Sequence, residues 1–334
     1  MQGTGDVGRI GLPPLGTRHR TTVDGTEVAW AETGSGEPLI LLHGIGDSGR
    51  TWRRTAPLLA RRFRVLIPDL PGFGESGRPD APYTLGWFTD ILDQWMDAIG
   101  LAQAHFCGHS YGGGIAQWMV LTHRPRVDRM ALVAAGGLGR EVMLGLRLAA
   151  IRYLEVLYTP AAMGIGTRMA MKGDLHNFGN PEPVEIEEIV RMNSLPGSGM
   201  SFARTVRGVI DVFGQYMQTC REVAAAESLP QVALFWGDDD RVIPVSHGRM
   251  ALQRFHGATL SVFPGGGHFP HLLHPARFAE ELAGFLLDSS RKPARILFAC
   301  PGGPRSEGPN ALPVAQCANC TWRKALDWTR MMTP

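Results

Sequence analysis

Gly108-His109-Ser110-Tyr111-Gly112 constrains this chain more than any other stretch. An apolar run, Ala104 to Cys107, leads into it, and Gly113, Gly114 and the helix-like series Ile115, Ala116, Met119, Val120 lead away. A G-x-S-x-G spacing between a strand and a helix demands a sharp turn in which only small residues fit beside the serine. Such a turn holds its serine in strained backbone geometry. The helix that follows points its positive end at the serine, which favours a negative charge developing there. The pentapeptide thus commits the chain to a strand-turn-helix unit.

The rest of the pattern extends that unit. Residues 17–33 read as a β-hairpin with its turn at Asp24-Gly25. Strand patterns follow near 38–42, 63–68, 104–108, 129–135, 231–236 and 258–263, and helical patterns near 50–61, 84–99, 112–123, 244–255 and 275–287. Alternation of this kind predicts a mostly parallel sheet with helices on both faces. It breaks between Leu138 and Leu229, where helical patterns near 139–157, 160–172, 183–193 and 199–226 occur without a clear strand.

A nucleophilic serine needs a base, and the base needs a carboxylate to orient it. The strand pattern Val232 to Trp236 runs into Gly237-Asp238-Asp239-Asp240-Arg241, and Thr259 to Phe263 runs into Pro264-Gly265-Gly266-Gly267-His268. Both polar groups fall just past the C-terminal ends of strands, the edge where open α/β sheets build their sites. The chain order is serine, acid, histidine. Asp238, Asp239 and Asp240 are all candidates for the acid. His268 is the candidate base among 11 histidines.

These features resemble the α/β-hydrolase fold family. The resemblance covers residues 17 to 288 and rests on five motifs: His43-Gly44-Ile45-Gly46 after the strand Leu39 to Leu42, Asp69-Leu70-Pro71-Gly72-Phe73-Gly74-Glu75-Ser76, the serine turn, Gly237-x-x-Asp240-Arg241, and Gly267-His268. It implies a mostly parallel sheet flanked by helices, with a core of 17–137 and 229–288. It also implies a helical cap at 138–228, inserted after the sixth strand. Residues 1–16 are expected to be a flexible N-terminus, and 289–334 an irregular tail whose removal leaves activity intact. By resemblance the acid is Asp240, just before Arg241, and Asp238 and Asp239 are a solvated turn and a capping residue. The stretch Ala134 to Leu138, where some relatives place the acid, has no carboxylate. The oxyanion donors are the amides of Tyr111 and Ile45, and the expected substrate contacts are His43, Gly44 and Phe269.

The activity this implies is acyl transfer to water on a medium or bulky apolar small-molecule ester, through Ser110, His268 and Asp240, with no metal or organic cofactor. Epoxide hydrolases and haloalkane dehalogenases of the fold carry aspartate where this chain has Ser110. Carbon–carbon hydrolases of meta-cleavage products share the Gly-x-x-Asp-Arg pattern. They often place methionine or leucine after the nucleophile and tryptophan after the histidine, where this chain has Tyr111 and Phe269. Thioesterase, perhydrolase and non-catalytic ligand-binding readings stay open, because fold alone does not separate them.

Other readings have weaker support. Gly44-Ile45-Gly46-Asp47-Ser48-Gly49, with Asp69 downstream, matches a dinucleotide fingerprint. So does Gly72 to Gly77, but Pro79 and Pro82 let no helix open there. His268, His271 and His274 suggest zinc, yet Pro270 and Pro275 interrupt any helix that would align them. Cys317 and Cys320 with Cys300 lack a fourth ligand. A formal charge of +2 and the absence of a basic run argue against nucleic acid. No apolar stretch approaches the ~18 residues that span a bilayer, so membrane contact is not expected. The N-terminus lacks an apolar signal core, and the five cysteines form no disulfide framework, which points to the cytoplasm. Homo-oligomerisation stays open. Seven of the 14 methionines fall in the cap (143, 163, 169, 171, 192, 200, 217), as core packing or as an adaptable pocket.

Overall fold

A computed structural model describes residues 14–153, 157–219, 223 and 229–288. The chain opens with a hairpin of β1 (Thr17–Val23) and β2 (Thr26–Thr33). Asp24 and Gly25 both take positive φ, 45° and 70°, as a two-residue hairpin turn requires. There follow β3 (Glu37–Leu42), α1 (Ala56–Leu59), β4 (Phe63–Pro68), α2 (Leu85–Ala98), β5 (Ala104–His109), α3 (Tyr111–Thr122) and β6 (Val127–Val133). After the insert come β9 (Gln231–Gly237), α8 (Ser246–Arg254), β10 (Thr259–Phe263), α9 (Pro270–Leu273) and α10 (Pro275–Leu287). The eight strands form one sheet in the order β1-β2-β4-β3-β5-β6-β9-β10. Only the pairs involving β2 are antiparallel.

Apolar alternation at period two builds a core on each face of this sheet. Along β3, Ile40 and Leu42 join Phe88 and Trp95 of α2 and Ile115 and Met119 of α3. Leu39 and Leu41 join Leu59 of α1 and Phe278 and Leu282 of α10 on the other face. Strands covered on both sides read as unbroken apolar runs. Every residue of β5 is buried, and from Leu39 to Leu42 so is β3.

Between β6 and β9, the described residues form α4 (Leu144–Ala149), α5 (Pro160–Gly173), α6 (Pro183–Asn193), α7 (Ser198–Arg207) and a hairpin of β7 (Ile210–Asp211) and β8 (Gly214–Gln215). The long helices expected near 139–157 and 199–226 differ from this. The first contracts to α4, and residues 154–156 lie outside the described set. The second stops at Arg207, and Gly214, at φ 124°, lets the chain turn back on itself. The helix expected at 50–61 splits into a 3₁₀ turn (Gly49–Trp52) and α1, because Pro57 lacks the N–H that would join them. The expectations for residues 1–13 and 289–334 fall outside the described residues.

Side chains lash the insert to the sheet's loops. The guanidinium of Arg53 donates to Glu185 at the start of α6, at 2.6 Å from Nη2, and its Nε donates to the same carboxylate. Asn193 Nδ2 donates to Gly46 O at 2.8 Å. Arg78 donates to Ser198 Oγ (2.9 Å) and Met192 O (3.1 Å). His176 and Asp239 are joined at 2.6 Å.

Candidate active site

Ser110 sits between the last residue of β5 and the first of α3, at φ 54° and ψ −116°. For a residue with a Cβ this is strained backbone, and the surroundings hold it there. Its N–H donates to Val133 O (2.9 Å), and its carbonyl accepts from Gly136 N (2.9 Å). The flanking glycines are sterically required. A Cβ on Gly108 would lie 2.3 Å from Gly112 O, and one on Gly113 would lie 2.4 Å from Ala135 Cβ. Although Ser110 N-caps α3, its side chain makes no cap hydrogen bond, so Oγ is left for chemistry at the positive end of a 12-residue helix.

Asp240 and His268 meet because β9 and β10 are parallel neighbours whose trailing loops touch. A Cβ on Gly237 would lie 2.2 Å from Gly267 O, so that approach needs glycine. His268 Nδ1 then lies 2.8 Å from Asp240 Oδ2, with both side chains buried. A carboxylate only accepts, so Nδ1 carries a proton and donates it to Asp240. Asp240 Oδ1 accepts from the amides of Val242 (2.8 Å) and Ile243 (2.9 Å), which fixes the carboxylate.

The neighbouring aspartates do more than the sequence reading expected. Asp238 accepts from Gly265 N and Asp239 from Gly267 N, both at 2.8 Å. Three consecutive carboxylates therefore grip three points of the loop that carries His268. Burial works to raise the Asp239 pKa, but the Gly267 amide and His176 outweigh it and hold the carboxyl below its ordinary value.

His109 Nε2 lies 2.9 Å from His268 O and ties the serine turn to the loop that carries His268. A carbonyl only accepts, so Nε2 is the protonated nitrogen. The ring lies 4.4 Å from Phe269 and 4.8 Å from both His268 and His271. Burial first, then the neighbouring His268 and His271, holds the His109 pKa well below its ordinary value, so the ring is neutral. Burial does the same to His271, helped by Arg53. His271 bonds Thr51 Oγ1 (3.0 Å) and His274 bonds Pro264 O (2.9 Å), so the histidine triplet points to three different partners rather than to one centre.

The His43-Gly44-Ile45-Gly46 turn faces the serine. A Cβ on Gly44 would lie 3.1 Å from Ser110 Cβ and 3.5 Å from its Oγ. Among the described residues neither the Ile45 nor the Tyr111 amide has a hydrogen-bond acceptor, as donors awaiting an oxyanion would require. His43, expected as a substrate contact, is fully buried and braces the turn instead. Its Nε2 accepts from Leu70 N (2.9 Å), which leaves Nδ1 to donate to Gly44 O (2.8 Å). Phe269, also expected there, packs on His109 and on Phe178 of the insert. The dinucleotide reading fails on geometry. Asp69 turns back to accept from Gly49 N (2.6 Å), and the helix that follows is a 3₁₀ turn and four residues of α1.

A cavity of about 30 Å³ opens beside Ser110 between Ile45, Leu85, Tyr111, Val209, Met217 and Ile243. That is room for one or two waters. Gln215 and Thr219 give it a polar side. Gln215 accepts from Gly137 N (2.9 Å), and Thr219 donates to Gln117 Oε1 (2.8 Å). The sequence reading passed over Val209, Gln215 and Thr219 because a small hairpin, with no periodicity to reveal it, brings them in. Of the insert's methionines, Met217 lines the cavity, whereas Met171 and Met192 are buried elsewhere and Met169 is exposed. No described arginine of the insert lines it. The Tyr111 hydroxyl is buried and has no hydrogen-bond partner among the described residues. A larger hollow of about 400 Å³, between Tyr158 and α7 with Arg204 and Arg207, does not include Ser110.

The geometry has matching relatives. A family model described as the alpha/beta hydrolase family matches residues 39–281. This chain belongs to that family. An uncharacterized protein of Mycobacterium tuberculosis (strain ATCC 25618 / H37Rv) is 33% identical over 273 residues, covering 79% of this chain and 80% of that protein. The 2-hydroxymuconate semialdehyde hydrolase of Pseudomonas sp. (strain CF600) is 30% identical over 263 residues, covering 77% and 89%. Among solved structures, a membrane phospholipase A described as a bacterial virulence factor superposes with a TM-score of 0.66 at 26% identity, covering 81% of this chain and 86% of that one. The sheet and its flanking helices are thus shared with hydrolases. No helix of the described residues is long and apolar enough to cross a membrane.

Proposed function

We propose that this hydrolase cleaves carboxylic esters with a medium or bulky apolar portion, through an acyl-serine intermediate. The observation that carries the reading is Ser110 at φ 54° with an uncommitted side chain, tied through His109 to a His268–Asp240 pair at 2.8 Å. His268 takes the Ser110 proton as Oγ attacks the carbonyl carbon, and Asp240 stabilises the imidazolium. The Ile45 and Tyr111 amides hold the oxyanion, each worth roughly 3 kcal/mol of barrier by analogy with other oxyanion holes. His268 returns the proton to the leaving alkoxide, then activates water to release the acid. Nucleophile, base and oxyanion donors all come from the chain, so the proposed reaction needs no cofactor. The insert acts as a cap: a 30 Å³ cavity cannot hold an ester of that size, so substrate access requires it to move. The buried Cys107 thiol, its pKa pushed up by burial, fits the reducing cytoplasm.

The test is a panel of p-nitrophenyl esters from acetate to palmitate, run on the protein and on Ser110→Ala. Turnover should fall by about 10⁴-fold or more in the variant, and the preferred chain length measures how far the cap opens. Near-normal turnover in Ser110→Ala would overturn the assignment. A second reading, carbon–carbon hydrolysis, is favoured by the likeness to 2-hydroxymuconate semialdehyde hydrolase. Turnover of that semialdehyde with no turnover of any ester would select it.

A further inference from the structure

Of the large apolar side chains exposed among the described residues, all but Leu252 and Leu287 lie between Leu144 and Tyr216, in the insert. Scattered single exposures are ordinary, but a concentration on one segment marks an interaction surface. Its centre is where α4 packs against the β7–β8 hairpin. Leu144 and Leu148, one helical turn apart, are 61% and 51% exposed, and Phe213 at the hairpin tip is 70% exposed. Cations ring this centre. Arg147 Nε donates to Val212 O (2.9 Å). Arg140 Nε donates to Phe213 O (3.3 Å), and its guanidinium lies 6.0 Å from the Phe213 ring. Arg152 is exposed just beyond α4. Two carboxylates lie beside these elements in the chain: Asp211 accepts from Phe213 N (2.7 Å), and Glu141 pairs with His247 (2.5 Å).

We propose that this face docks on an anionic lipid bilayer. Leucine and phenylalanine projecting between arginines is the composition of a segment that rests in the headgroup region: apolar tips enter the acyl boundary and cations meet phosphate. Charge decides between occupants. In a symmetric dimer the same patch would meet itself, setting arginine against arginine. Negative headgroups complement it.

The hairpin also links this face to the cavity. Its tip stands outward, while Val209, Gln215 and Met217 at its base form the cavity wall beside Ser110. Seating the tip in a bilayer moves that wall and opens the site toward the lipid phase, from which amphiphilic esters would come. Only this consequence for substrate supply rests on the esterase reading, and docking is measured without turnover.

The experiment is co-sedimentation of the full chain with vesicles of phosphatidylcholine alone and of phosphatidylcholine mixed with phosphatidylglycerol. The chain should pellet with the mixed vesicles and bind neutral ones at least tenfold more weakly. Leu148→Ser with Phe213→Ser should weaken binding to the mixed vesicles by at least tenfold, and Arg140→Gln with Arg147→Gln should remove the preference for phosphatidylglycerol. Circular dichroism would confirm that the variants fold. A chain that stays in the supernatant with both vesicles overturns the proposal, as does a double serine variant that binds as well as the parent. A dimer by light scattering that the serine substitutions dissociate would assign the face to a second copy and overturn it too.

Discussion

Ser110 owes its position to its neighbours. Its positive φ is tolerated because Gly108, Gly112 and Gly113 leave no Cβ in the way, and because its amide and carbonyl are both bonded across the sheet edge. Tyr111 is the contrasting residue. Its phenol is buried without a partner among the described residues, and burial raises its pKa well above the ordinary value, so it stays neutral. Leaving a buried hydroxyl unpaired costs about 1–3 kcal/mol. Tyr111→Phe removes that cost and should stabilise the fold by about 1 kcal/mol in urea unfolding. A loss of similar size would show that the hydroxyl has a partner. At this scale Ser110, the run Asp238 to Asp240 and His268 were legible because each sits in a motif bound to a strand end, whereas the pairing of Asp240 with His268 is a contact between two loops. The clamping by Asp238 and Asp239 was not legible, because it depends on two loops 27 and 28 residues apart meeting in space.

At the scale of elements, strands were easier to read than the insert's helices. A parallel strand buried on both faces shows as an apolar run with turn signals at its ends. The reading of 183–193 agreed with α6, which has Pro183 at its first turn and a capping box between Glu182 and Glu185. Where the insert follows a hairpin too short for periodicity, as at Ile210 to Gln215, the reading ran a helix through it. Glu185 has two tasks. It accepts from Glu182 N (2.8 Å), and it pairs with Arg53 where the insert meets the loop after β3. Both charges are nearly buried, at 11% and 10% side-chain exposure. Removing one partner of such a pair strands the other, at a cost of about 3–5 kcal/mol. Glu185→Ala should therefore lower stability by about 3 kcal/mol in urea unfolding. A loss within about 0.5 kcal/mol would mean that Arg53 finds water on its own.

Over the whole molecule, two buried neutral histidines tie stability to pH. His109 faces His268, His271 and His43, and His271 faces Arg53 and His268. Both have folded-state pKa values well below the ordinary one, so the unfolded chain takes up their protons first as pH falls. Stability should be intact above about 6.5 and fall below it, by up to about 1.4 kcal/mol per pH unit for each histidine. Urea midpoints measured on both sides of that value would show the slope, and His271→Gln should make it shallower. A flat profile through this range would mean that neither ring is held neutral. Surface association also belongs to this scale. With no spanning stretch and a net charge of +2, the chain reads as having no membrane contact. The apolar and cationic face arises only where α4 and the hairpin meet.

The sequence by itself determined the strands of the sheet and put Ser110, the run Asp238 to Asp240 and His268 just past strand ends, because local signals carry them: two-residue alternation, glycine turns, and polar residues just past strands. Only the tertiary structure decided that His43 braces a turn, that a 30 Å³ cavity is lined by Val209 and Met217, and that leucines and arginines share one outer face. Those features depend on residues far apart in the chain packing against one another, and contacts at such separation leave no period in the sequence.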